Sequence, residues 1–421
     1  MAQIAHVLAR LKRDPIADLP LAAPLEQMLQ DLGHVWRERL LTPLVTLRLF
    51  LVQILNCNVS IAALRQLSGI HFAPSSYSEA RDRLPLELLN RLLRWLHEQA
   101  GQSLDSARKI GARIFIVDGS TYSVEDTESL RKHFHLPAGT KPGVGYPMGK
   151  LMGLLDAATG MFVSLLALPL FEHDIRSVIS LHPMLRAGDI LLGDRAFCSF
   201  CHLALLNARG VLACVRLHQR RKVKGGGVDR WHKPAMMPQW MDPASFASLP
   251  RFIDVRIVRY EVVHKGYRTR HVLVATTMMD EVMWPQEKIA ELYGQRWQIE
   301  TCFDHLKTTM GMNALRCKTA DGVRKELAVY LLVYNLVRLA MLKAARRQGV
   351  SVKRISFIDA LRWLAARMVG LTGVPTLIVN PDRTGRCQLR VIRRRYKQYD
   401  LLRKSRRETE AEIAAKAGKY A

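Results

Sequence analysis

The stretch YGQRWQIETCFDHLK, residues 293–307, sets an acid among bases and aromatics in a helical pattern. A helix advances about 100° per residue, so with Tyr293 at zero Arg296, Glu300 and Lys307 fall at about −60°, −20° and −40°. All four side chains share an arc of about 60°. Leu292, Ile299, Phe303, Leu306 and Met310 gather at about −80° to −140°. The polar stripe therefore borders the buried stripe, where a carboxylate is held rigid and still reaches a ligand. Taken alone, Arg296 and Glu300 are an i,i+4 ion pair worth roughly 0.2–0.5 kcal/mol.

Two other acids give Glu300 something to converge on. Asp118 closes the apolar run of ARIFIVDGST and Asp194 closes that of DILLGD. Both runs read as buried strands, and Gly119 and Arg195 then end or redirect the chain. If the strands are neighbours and the helix packs across them, Asp118, Asp194 and Glu300 meet. Such carboxylates repel, and unless a cation neutralises them at least one pKa rises. Oxygen donors without His or Cys suit Mg²⁺, with Mn²⁺ as a substitute. Two such ions activate a water or a 3′-hydroxyl and stabilise the leaving oxygen in an in-line attack at phosphorus. Arg296 and Lys307 would then hold a phosphate backbone, and Tyr293 would donate to a phosphate oxygen. Trp297, at about +40°, fits either the stacking of an unpaired base or an interface core. Asp304, at about +20°, is a rival third acid.

The rest of the composition agrees with a polyanionic partner. The 421 residues carry a formal net charge of +26, which points to nucleic acid before an anionic membrane surface. The longest apolar runs, near 40–55 and 328–342, are interrupted by Arg48 and by Asn335 and Arg338, so no membrane partner is expected. The N-terminus lacks a long apolar segment with a cleavage site. The seven cysteines form no metal-ligand series, and Cys198 and Cys201 read as helical core, which fits reduced thiols in a cytoplasm.

The elements that must position these residues follow in order. Residues 1–105 read as a helical N-terminal domain expected to bind DNA. Within it Ser60 caps SIAALRQL, which stops at Gly69, and SSYSEARDRL follows with Ser76 or Ser78 near its start. Two short helices joined by a tight turn fit a helix-turn-helix or a plain bundle, and the pattern does not choose. Residues 106–217 give strands around a turn at Ala158–Gly160, a helix capped by Asp174, and then strand, helix and strand. That is the order of an RNase H-like α/β core. Residues 218–280 read as a β-rich insertion, and 281–348 return to the core with the helix that carries Glu300. Residues 349–421 form a basic C-terminal region, with eleven Lys/Arg against one acid between Arg383 and Arg407.

These residues resemble a family, the DDE transposases of bacterial insertion sequences in the insertion-sequence-four group. That family's signature Tyr-x2-Arg-x3-Glu-x6-Lys is matched by Tyr293, Arg296, Glu300 and Lys307. Its two Asp positions are matched by Asp118 in VDGST and Asp194 in GDRAF. The resemblance runs from about residue 40 to about 405 and favours Glu300 over Asp304. It implies an RNase H-like mixed sheet interrupted by a β-rich insertion. It also implies Asp118, Asp194 and Glu300 as catalytic acids on two Mg²⁺ ions, with Tyr293, Arg296, Lys307, Trp297 and Arg195 on DNA. The implied partners are the double-stranded terminal inverted repeats and target DNA, bound by a dimer in the synaptic complex. The implied reaction frees a 3′-hydroxyl, passes through a hairpin and joins the ends to target DNA, in the cytoplasm at the bacterial nucleoid. Trp231 and Trp240 compete with Trp297 for the base-stacking role in the hairpin step. Alternatives are a catalytically silent DNA-binding derivative and a structure-specific endonuclease on the same core.

Overall fold

The computed structural model of the protein describes residues 22–102, 111–140, 143–221, 223, 225–262, 271–366, 376–381, 402 and 404–417. The chain opens with helices α1 (Ala22–Asp31), α2 (Pro43–Leu55), α3 (Ile61–Ser68), α4 (Pro74–Arg83) and α5 (Leu86–Gln102). Strand β1 (Ile114–Ser123), helix α6 (Glu128–Phe134), and strands β2 (Met148–Asp156) and β3 (Phe162–Pro169) follow. Next come α7 (Asp174–Val178), β4 (Ile190–Gly193), α8 (Phe200–Ala208) and β5 (Leu212–Arg216). Then β6 (Gly227–His232), α9 (Pro243–Ser248), β7 (Phe252–Glu261) and β8 (His271–Thr276). The described chain closes with α10 (Gln286–Gly294), α11 (Gln298–Asp304), α12 (Ala320–Gln348), α13 (Phe357–Ala366) and α14 (Arg406–Ala417).

One eight-stranded sheet runs in the order β3-β2-β1-β4-β5-β8-β7-β6. β1, β4 and β5 are parallel, while β2 and β3 pair antiparallel on the far side of β1. This is the RNase H-like arrangement expected from the element order. The β-rich insertion does not form a separate sheet. Its strand β8 pairs antiparallel with β5, and β7 and β6 follow outward, so the insertion prolongs the core sheet.

Side chains alternate across β1 because successive residues of a strand point to opposite faces. Ile116 and Tyr122 enter one core with α2, α5, α11, α12 and α13. Phe115 and Val117 enter a second core with α7 and α8. Helices on both faces explain why the strand sequences read as continuous apolar runs. The centre of the first core is α12, which is long and apolar enough to cross a membrane but is largely buried in this fold. Its buried Asn335 and Arg338 are satisfied on the β2–β3 hairpin. The Asn335 amide donates to the Phe162 carbonyl (2.8 Å) and accepts from its N–H (3.1 Å). Arg338 donates to the Thr159 carbonyl.

Ser60 does cap α3, and Gly69 ends it in the left-handed region at φ +67°, where a Cβ is costly. α4 starts earlier than read, at Pro74, whose fixed φ suits a first helical turn. The turn before α3 and helix α4 dock onto the segment that follows the candidate site. Asn58 donates to the buried Glu326 (2.6 Å), Arg81 reaches Cys317 Sγ (2.8 Å) and Lys325 donates to the Asp82 carbonyl (2.6 Å). Helix α6 and strand β6 lie in stretches to which the sequence reading assigned no individual element. Asp174 does not cap its helix, since the cap position is His173. Instead Asp174 pairs with Lys150 at 3.1 Å, and α7 passes into a 3₁₀ turn over Ile179–Met184 that contains Pro183. Residues 263–270 of the insertion and most of the basic tail lie outside the described residues.

Candidate active site

The β1–β4 register sets the site. Ile114, Phe115 and Ile116 pair with Ile190, Leu191 and Leu192. Two residues further along that register, Asp118 comes level with Asp194. There β4 stops at Gly193, while β1 runs on to Ser123, paired with β2 and bridged at its end to Ala314. Asp118 thus lies inside its strand rather than at its end, as the sequence suggested. It is the neighbouring strand that ends. Asp194 turns that chain aside by capping the 3₁₀ turn Arg195–Phe197, its Oδ1 accepting from the Ala196 N–H at 2.7 Å. The parting strands open a cleft edge beside Asp118.

Across this edge lies the segment 293–307, and it is not one uniform helix. After α10 a 3₁₀ turn spans Gln295–Trp297, α11 follows, and a π turn spans His305–Thr309. A wheel drawn at constant winding misplaces residues across such tight and wide turns. Arg296 is the main departure, because it is buried between two acids instead of bordering the core. Its Nη1 donates to Asp118 Oδ2 at 3.2 Å and its Nη2 to Glu300 Oε1 at 2.9 Å. Lys307, within the π turn, donates to Ser120 Oγ at 3.2 Å. Asp118 and Ser120 are two residues apart on one face of β1, so α11 and the π turn track along that strand.

The acids differ in setting. Burial above all, with the carboxylates of Asp194 and Glu300 adding to it, pushes the Asp118 carboxyl up to about 6. The Gly119 N–H, 2.8 Å from Oδ1, and the Arg296 charge pull the other way without cancelling it. Glu300 is the open member, with 44% of its side chain exposed. The rival Asp304 is exposed and accepts from Thr308 on its own helical segment at 2.8 Å.

The other expected contacts divide. Tyr293 is a core residue, 4% exposed, with its phenol pushed up by burial, and so does not stand on the edge where it was expected. The reason is that α10 lies against β7 and β5, which bury its far end. Arg195 reaches Gln219 Oε1 at 2.8 Å, toward the start of the insertion. Trp297 is 36% exposed and lies under the Arg296 guanidinium, 4.3 Å from the ring centroid. Trp231 is 2% exposed and bonded to Asp229, so it is committed to the second core. Trp240 is partly buried against the second core. Sequence reasoning passed over Ser120 and Gly153. The alternation D-x-S after a strand run was the available signal for the first, and the glycine in KLMGLLD for the second.

The donors at this edge are carboxylate oxygens, which suit a hard divalent ion. Among the described residues no three His, Cys, Asp or Glu side chains lie close enough together to enclose an ion, and Arg296 stands between two of the acids. The chemistry of the donor set therefore fits a divalent ion, while the acids are held short of a closed cage.

Residues 109–336, a little over half of the chain, match the family description Transposase DDE domain. The chain belongs to the transposase DDE domain family. The transposase is 24% identical over 310 residues to "Transposase InsG for insertion sequence element IS4" of Escherichia coli (strain K12), covering 72% of this chain and 69% of that protein. A second relative, "Putative transposase for insertion sequence element IS4SA" of Synechocystis sp. (strain ATCC 27184 / PCC 6803 / Kazusa), is 30% identical over 91 residues, 19% of this chain and 27% of its own. Both names agree with the insertion-sequence-four resemblance. Among solved structures, the cryo-EM piggyBac transposase synaptic complex with hairpin DNA aligns with 85% of this chain and 79% of its own. Its sequence identity is 10% and its TM-score 0.43.

Proposed function

We propose that this transposase cuts DNA at the ends of its insertion sequence and joins them to target DNA by phosphoryl transfer, with Asp118, Asp194 and Glu300 as its catalytic acids. What supports this reading is the register that brings Asp118 level with Asp194 where β1 and β4 part, with Arg296 linking Asp118 to Glu300 beside the turn that presents Lys307. In a chain of net charge +26 the substrate at such an edge is a polyanion.

Asp118, Asp194 and Glu300 would hold the divalent ions, two Mg²⁺ with Mn²⁺ as substitute. Bound there, such ions supply Lewis-acid stabilisation of the attacking and leaving oxygens. The chain's own residues do the rest. Lys307 and Arg296 neutralise and orient the phosphates flanking the scissile bond, and Arg195 approaches from the Asp194 side. In the first step a water oxygen bonds to phosphorus as the P–O3′ bond breaks, leaving a 3′-hydroxyl and a 5′-phosphate. That 3′-oxygen then attacks a phosphate of the opposite strand and displaces the 3′-oxygen of the flanking DNA, giving a hairpin; a second water attacks the hairpin phosphate and releases the 3′-hydroxyl again. The freed 3′-oxygen finally attacks a target phosphate and displaces the target's own 3′-oxygen. Trp297, the most open of the three tryptophans considered, would stack the base unpaired in the hairpin. Binding of the inverted repeats by the helical N-terminal region and pairing of two ends in a dimer complete the reading.

The test is Mg²⁺-dependent nicking of a duplex carrying the element's end. Asp118→Ala, Asp194→Ala and Glu300→Ala should each abolish nicking and retain end binding. Full cleavage by Glu300→Ala would sink the assignment. Joining of a pre-cut 3′-end to plasmid DNA separates a transposase from an endonuclease on the same core.

A further inference from the structure

Arg296 occupies the place where the acids would have to close. Its guanidinium joins Asp118 Oδ2 and Glu300 Oε1, and its side chain is only 8% exposed. Its Nε is buried without a hydrogen-bond partner, although one face of the group covers the Trp297 ring. The arginine is thus drawn in by the acids while one buried donor is left unsatisfied, and such a donor costs free energy. An acceptor offering two oxygens side by side, one of them to Nε, would relieve that cost. A DNA phosphate is such an acceptor, since guanidinium pairs with phosphate in bidentate fashion. A small divalent ion, by contrast, needs carboxylate oxygens drawn in to about 2.1 Å, which a guanidinium wedged between them prevents.

We propose that Arg296 is a displaceable internal cation. It holds the acids apart and closes the site to divalent ions while DNA is absent. When a DNA phosphate takes the guanidinium, Asp118 and Glu300 are released to close around an ion. This rests on the reading of Asp118, Asp194 and Glu300 as the metal-holding acids. It adds that metal affinity and DNA affinity are coupled, each raising the other by the same factor.

The test is equilibrium Mn²⁺ binding by the full chain, read from the electron paramagnetic resonance of the free ion. Without DNA, Arg296→Gln should bind Mn²⁺ at least about tenfold more tightly than the native chain, and adding Asp118→Asn should abolish the gain. Equal or weaker binding by Arg296→Gln overturns the proposal. A gain that survives both Asp118→Asn and Glu300→Gln overturns instead the assignment of the acids on which it rests. If Arg296→Gln does not fold by circular dichroism, the native chain decides. A duplex copied from the element's terminus should tighten Mn²⁺ binding about tenfold after correction for ions held by the DNA, and unchanged affinity overturns the proposal.

Discussion

Gly153 of β2 stands directly opposite Asp118 of β1, and no side chain fits there. A Cβ at Gly153 would lie 2.7 Å from the Phe162 ring and 3.2 Å from Phe303. Phe303 is three residues beyond Glu300 on α11. The bare backbone at Gly153 is therefore what lets α11 approach the sheet closely enough for Arg296 and Glu300 to reach Asp118.

Gly153→Val should push α11 away from β1. Overpacking of this kind costs about 1–3 kcal/mol, and a misplacement of about 1 Å at reacting groups costs about 100-fold in rate. The expected result is a folded protein with a lower melting temperature and nicking reduced about 100-fold. Nicking at the native rate would show that the close approach does not set the site.

The Asp118 carboxyl, at about 6 against an ordinary 3.8, links stability to pH. The folded chain binds this proton more tightly than the unfolded chain. Its contribution to stability is therefore full below about pH 4 and is lost as pH rises through about 6. Asp118→Asn removes the penalty of the buried charge. In the presence of chelator it should be more stable than the native chain at pH 7.5, by on the order of 1–3 kcal/mol, and equal to it near pH 4. Urea unfolding at the two pH values checks both the sign and the window.

Lys307 is expected to act through phosphate. Lys307→Ala should weaken binding of the element's end several-fold and lower the slope of log K against log salt by about 1. Fluorescence anisotropy across a salt series measures both quantities. An unchanged slope would assign Lys307 to its Ser120 contact alone.

The fold around the site depends on a buried pair, His97 of α5 and Asp156 at the end of β2, 2.8 Å apart. Burial opposes the Asp156 charge, but His97 and the backbone N–H groups of Ala158 and Thr159 outweigh it and hold the carboxyl below its ordinary value. Its contribution is present above the ordinary value and lost as pH falls through the lowered one. His97→Ala leaves Asp156 buried with fewer partners and should cost about 3 kcal/mol at pH 7, read by urea unfolding.

Much of this site was legible before any coordinates. Apolar runs ending at Asp118 and Asp194 marked two strands of a sheet covered on both faces. The spacing of Arg296, Glu300 and Lys307 marked one helical edge. What could not be read was set by tertiary contact. Tyr293 looked like an edge residue because periodicity does not show that β5 and β7 bury α10. Asp118 looked like a strand end because the sequence does not say which of two neighbouring strands stops. Arg296 and Glu300 looked like an ordinary surface pair, since the third partner, Asp118, is remote in sequence. β6 was missed because five of its six residues are exposed, as befits the outermost strand of the sheet.

The pairing of β8 with β5 also has a mechanical consequence. β5 neighbours β4, whose end carries Asp194, and the hydrogen-bonded ladder runs unbroken from there to β6. The inserted strands are a cantilever built out from the catalytic sheet, with no swivel between them. Load placed on the outer strands is carried as twist along the ladder to the strand beside Asp194. The inserted strands therefore move with the core sheet and cannot swing over it as an independent flap.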